Sequence, residues 1–147
     1  MKKIVLIALV LIFTTACQKK VTAADIPKIN GYWEIERVVF PDGTEKEYPV
    51  NQIFDYFSIQ NNTGFRKKVT PQLDGSFLVN DDVEKITIKQ ENEKYIINYS
   101  TFFSKWKEEI HAISDEKLVM INDSKNEYHY KKATSINLII QDGKTTK

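Results

Sequence analysis

The 147-residue chain has one cysteine, Cys17, so it forms no disulfide of its own and must draw its stability from burial. Its two histidines, His111 and His129, stand on separate strand-like runs without a cysteine or clustered carboxylate at ligand spacing. That argues against a metal site. Charge of one sign is missing too. Twenty-one basic residues face 20 acidic ones, which leaves no electrostatic footprint for nucleic acid. No Gly-x-Ser-x-Gly, His-Glu-x-x-His or phosphate loop occurs, and Asp81-Asp82 lacks the rest of a calcium loop. The expectation is therefore a non-enzymatic protein with no metal and no cofactor. The longest apolar run, Ile4 to Phe13, is about ten residues, too short to cross ~30 Å of hydrocarbon as a helix.

What is present begins with that run. Met1-Lys2-Lys3 is a basic start, the apolar run suits a secretory core, and Thr14-Thr15-Ala16 places small residues before Cys17. This resembles the lipobox of bacterial lipoproteins, with Thr14 where leucine is commoner. The resemblance implies a signal peptide over 1–16, removed to leave Cys17 as the lipidated first residue. Two or three acyl chains anchor a protein firmly where one binds only marginally. The membrane is thus an expected partner, through the N-terminal lipid. Without Lys2 and Lys3 the basic count falls to 19 against 20 acids. Gln18 follows the lipidated position, and by the same resemblance the absence of Asp there implies the outer membrane, facing the periplasm. Residues 17–30 are polar and small and read as a flexible tether.

From Gly31 to Lys132 the periodicity is close to two, and turn signals separate short runs. Expected strands start at Gly31, Phe54, Phe65, Ser76, Glu84, Lys94, Trp106, Lys117 and Glu127. Turns are expected at Pro41-Asp42-Gly43, Asn61-Asn62-Thr63-Gly64 and Asp74-Gly75. About eight short strands with hairpin-length links indicate an all-β antiparallel meander, which removes its exposed edges by closing into an up-and-down barrel over 31–133. Residues 134–147 form a tail, either packed on the barrel through Ile136, Leu138, Ile139 and Ile140 or disordered.

Eight such strands opened by Gly31-x-Trp33 look like the lipocalin-like superfamily. The resemblance implies that Trp33 plugs the narrow end of the barrel, with a basic residue after the last strand, Lys131 or Lys132, across its indole. It also implies that the loop from Asp42 to Gln52 lies over the mouth. In the strand pattern Arg37, Lys67 and Glu108 fall on faces that otherwise read as inward. They are either a polar spot in a ligand cavity or charges at a bulge or open end that reach water. Phe57, Phe65, Phe77, Tyr95, Tyr99, Trp106, Tyr128 and Tyr130 also alternate inward. They either line a cavity or fill the barrel, since eight strands leave an interior just wide enough for side chains. The candidate ligand-binding set is Arg37, Lys67, Tyr95, Tyr99, Trp106 and Glu108. Phe102-Phe103-Ser104-Lys105-Trp106 is apolar for a loop, either a rim contact, partner site or membrane touch, or a hairpin covering its own barrel end. The expected function is binding of a small apolar or amphipathic molecule. The alternative is a protein-binding lipoprotein, as an envelope-complex subunit or as an inhibitor or immunity factor.

Overall fold

The computed structural model describes residues 20–72, 74, 76–79 and 82–133. Cys17, the expected signal peptide and the tail 134–147 lie outside them. A 3-10 helix, Ala23–Ile29, comes first. Ten strands follow: β1 Gly31–Val39, β2 Glu45–Glu47, β3 Phe54–Gln60, β4 Thr63–Pro71, β5 Phe77–Val79, β6 Glu84–Glu91, β7 Lys94–Ser100, β8 Lys105–Ile113, β9 Lys117–Asn122 and β10 Glu127–Lys132.

Eight of these pair in chain order, and β10 returns antiparallel to β1, so the sheet closes on itself. The all-β up-and-down barrel expected from the alternation is the architecture present. β2 is an addition that folds back on β1. The run from Ser76, expected as a strand of the meander, instead gives β5, which folds back on β4 while β4 pairs directly with β6. Closure leaves no long free edge to template aggregation. Among the described residues the buried core runs from Ile26 to Tyr130.

The segment expected as a tether is folded in its second half. Ile26 and Ile29 are spaced one 3-10 turn apart and are buried in the core, Ile29 completely. Asp25 accepts from the Thr22 N–H and hydroxyl and from Lys28 Nζ, which ties down the start of the helix. The helix stoppers the barrel beside Trp33.

Inward and outward faces follow from register. In β1, Trp33 and Ile35 face in opposite Lys132 and Tyr130, and then the register slips between Ile35 and Arg37. That β-bulge puts one extra residue into the strand and flips the faces beyond it. Val38, not Val39, is therefore the buried residue. In β4, Asn61 and Asn62 form a two-residue hairpin turn with φ of 50° and 62°, the left-handed pair that primed turns need. The turn sets Arg66 opposite Phe57, which is fully buried.

Candidate functional site

The closed pole is a plug. Trp33 is fully buried, and its indole N–H donates to the Ile29 carbonyl at 2.6 Å. The Lys132 ammonium lies 4.6 Å from the Trp33 ring centroid and donates to the carbonyls of Lys28 at 2.7 Å and Asn30 at 2.6 Å. Gly31 has φ of +110°, and a Cβ there would meet Lys132 Cε at 3.2 Å. Of the two lysines considered from sequence, Lys132 covers the indole. Lys131 points outside and pairs with Glu34 at 3.2 Å.

Above the plug the barrel is filled by Phe57, Ile97, Tyr99, Leu118 and Met120. At mid-height lies a buried guanidinium. Arg66 is 6 % exposed, and its Nε pairs with Glu84 and faces Asp55 Oδ1 at 4.0 Å, while Nη1 faces Glu108 Oε2 at 3.7 Å. The Tyr99 ring sits 4.4 Å beneath it, and Tyr99 stacks on Trp106 at 5.0 Å. Burial works against the charge of Arg66, but Tyr99, Asp55 and Glu84 outweigh it and hold the guanidinium protonated beyond its ordinary value. Glu108 goes the other way. Burial lifts its pKa, and the opposing pull of Arg66 does not cancel this. Glu108 Oε2 has no hydrogen bond among the described residues.

The open pole holds a pocket of about 480 Å³. Its walls are Ile35, Tyr48, Ile53, Tyr128 and Tyr130, and its floor is Asp55 with Lys68, which form an ion pair. Because Asp55 also faces Arg66, the pocket floor runs electrically into the buried cluster. The segment 48–53 crosses one side of the mouth, held by Asn51 Nδ2 donating to the Ile35 carbonyl at 2.7 Å. A neighbouring hollow of about 330 Å³ shares Ile53 and Lys68 and adds Thr70, Leu78 and Val79. The pattern is apolar walls over a charged floor, suited to a molecule with both kinds of surface.

The sequence-derived candidates are only partly gathered here. Glu108, Tyr99 and Trp106 surround Arg66 as described. Tyr95 is buried in the core of the closed half, paired across from Ile110, and borders a different hollow from Tyr99 and Trp106. Two inward placements are corrected. The bulge in β1 turns Arg37 outward, where it is half exposed and lies 3.6 Å from Glu45. The hairpin at Asn61-Asn62 gives the inner face of β4 to Arg66 and Lys68, so Lys67 lies outside over Phe65. Phe65 and Phe77 are on the outer face as well, in an aromatic cluster with Tyr32 and Tyr56. Sequence reasoning missed Asp55, Arg66, Lys68 and Glu84. Counting across the Asn61-Asn62 turn from Phe57 would have found Arg66.

Among the described residues no helix is long and apolar enough to cross a membrane, and no three or more His, Cys, Asp or Glu side chains are grouped so as to hold a metal ion. Neither a protein-family profile nor a characterised protein matches the sequence. Three solved structures are similar in backbone, each with a TM-score of 0.46. A lipocalin-like protein from Bacteroides uniformis is 14 % identical, over 72 % of this chain and 99 % of that one. An uncharacterised protein from Bacteroides eggerthii is 15 % identical, over 71 % and 98 %. Apocrustacyanin C2 is 8 % identical, over 82 % and 69 %. The strand order, the closure of β10 on β1 and the Trp33 plug under Lys132 make this chain a closed, eight-stranded, antiparallel up-and-down β-barrel.

Proposed function

We propose that this protein is a non-enzymatic, lipid-anchored component of the bacterial envelope whose barrel mouth binds a small amphipathic molecule. The observation that carries the reading is the open-pole pocket, with the Asp55–Lys68 pair beneath walls of Ile35, Ile53, Tyr128 and Tyr130. A polar or charged head would meet the floor, and an apolar portion would lie against the rim. The lipid anchor is Cys17, in the outer membrane facing the periplasm. At about 3.5 Å per residue, the links from Cys17 to Lys20 keep the closed pole within roughly 11 Å of the lipid.

Native mass spectrometry of the protein extracted from its own membrane tests the binding reading. A co-purifying small molecule that disappears in Lys68→Glu is the expected result. Extracted protein that carries nothing would overturn it. A protein-binding role is favoured by one observation, the exposed Val50, Ile53, Leu78 and Val79 around the mouth. A co-purifying protein in place of a small molecule would select that role. Replacing Cys17 with Ala should move the protein out of a membrane fraction washed with about 1 M salt, which screens surface charge, and retention after that wash would remove the anchor.

A further inference from the structure

The outer wall made by β6, β7 and β8 carries a feature the mouth does not use. Lys85, Ser100 and Lys105 lie abreast in one rung of the sheet, and Thr87, Asn98 and Lys107 in the next. They line a shallow basin of about 550 Å³, with Asp123 as its acidic member. None of the three lysines has an ion-pair partner among the described residues. Farther down the same wall two lysines do have partners, Lys94 on Glu109 at 2.8 Å and Lys20 on Glu93 at 3.0 Å.

Directly above the basin the β7–β8 turn presents Phe102 and Phe103, 94 % and 92 % exposed. Thr101 Oγ1 accepts from the N–H groups of Phe103 and Ser104, and the Thr101 N–H donates to the Ser104 carbonyl at 2.9 Å. The turn is therefore held by its own hydrogen bonds, and the two rings, packed edge to face at 5.0 Å, project from it. Two phenyl rings on an ordered tip with three unpaired lysines behind them make an apolar wedge backed by positive charge. Lys20, where the described chain begins, lies at the other end of this wall beside the β6–β7 turn. An anchor at Cys17 and the Phe102-Phe103 tip would grip the same plane.

We propose that this wall docks on an anionic lipid surface, with Phe102 and Phe103 entering the acyl boundary and Lys85, Lys105 and Lys107 facing the headgroups. The docking does not require the lipid at Cys17, so it is tested without it. Residues 18–147, which include every core residue of the described chain, are floated with vesicles of phosphatidylcholine alone or of equal parts phosphatidylcholine and phosphatidylglycerol. The chain should rise with the anionic vesicles and not with the neutral ones. At about 1 M salt, where screening acts within about 3 Å, binding should vanish. Each lysine near such a surface strengthens binding about fivefold, so K105Q/K107Q should weaken it about 25-fold. F102S/F103S should weaken it by about tenfold or more through lost apolar burial. All four side chains project into solvent, so thermal melts of both variants should match the parent. A wall built for a protein partner would leave the chain unbound with both vesicles, and that result overturns the proposal. So would equal flotation with neutral vesicles, or two double variants that bind as the parent does.

Discussion

Lys132 holds its ammonium 4.6 Å from the ring centroid of Trp33 while donating to the carbonyls of Lys28 and Asn30. One side chain thus covers the plug, ties the end of the 3-10 helix and closes the seam between β10 and β1. Lys132→Met should keep the stem and remove those bonds, at a cost of about 2–4 kcal/mol from two charge-assisted hydrogen bonds and the cation–π contact. Lys131→Met removes only a half-exposed pair with Glu34 and should cost about 1 kcal/mol or less. Urea unfolding of the two variants checks the contrast, and equal losses would contradict it.

Gly31→Ala addresses the same pole through the backbone. At φ of +110° an L side chain is strained, and its Cβ would press on Lys132 Cε at 3.2 Å. A loss of about 1–3 kcal/mol is expected in the same measurement. Gly43 also has a positive φ but has nothing within 4 Å of a Cβ, so Gly43→Ala meets the backbone strain alone and should cost less.

Removing the buried guanidinium should be severe. Arg66→Leu leaves Asp55, Glu84 and Glu108 facing one another in the barrel, and breaking such a pair costs about 3–5 kcal/mol. Arg37→Leu, on the outer face and half exposed, should stay within about 1 kcal/mol. If Arg37 proved the costlier of the two, the bulge in β1 and the register of β4 would both be wrong.

Glu108 gives the barrel a pH dependence. Its folded pKa is raised, so the native state holds the proton more tightly than the unfolded chain does. The stability it contributes is present at low pH and falls as pH rises from about 4.3 through the folded value. Glu108→Gln, which cannot ionise, should flatten the melting temperature over that window. A parent and variant with parallel profiles from pH 4 to 7 would exclude this role.

The eight barrel strands were legible because alternation and turn residues are local signals, but those signals also put the run from Ser76 into the meander, whereas it folds back on β4 outside the closed order. The side of β4 that faces inward was not legible. Tyr32, Tyr56, Phe65 and Phe77 form an aromatic cluster on the outer wall, while the inner face of β4 carries Arg66 and Lys68, so the usual rule of apolar side chains inward points the wrong way. Register settles the matter, and register is fixed by the two-residue turn at Asn61-Asn62. The bulge in β1 was hidden for a different reason: it depends on pairing with β10, about 90 residues along the chain, and no residue near Glu36 announces it. The 3-10 helix was missed because Ile26 and Ile29 are only two apolar positions around Pro27, too few to form a visible stripe.

The described chain enters and leaves the barrel at one pole. Lys20 lies beside the β6–β7 turn there, and the Ala133 N–H donates to the Tyr32 carbonyl at 2.9 Å next to the plug. The segments at 40–53, 101–104 and 122–126 gather at the other pole, free of the plug and of both chain exits. The two ends can then evolve under different rules. Substitutions at Gly31, Trp33 and Lys132 test whether the protein exists at all, whereas insertions and exchanges at the far rim can accumulate while the fold is inherited unchanged.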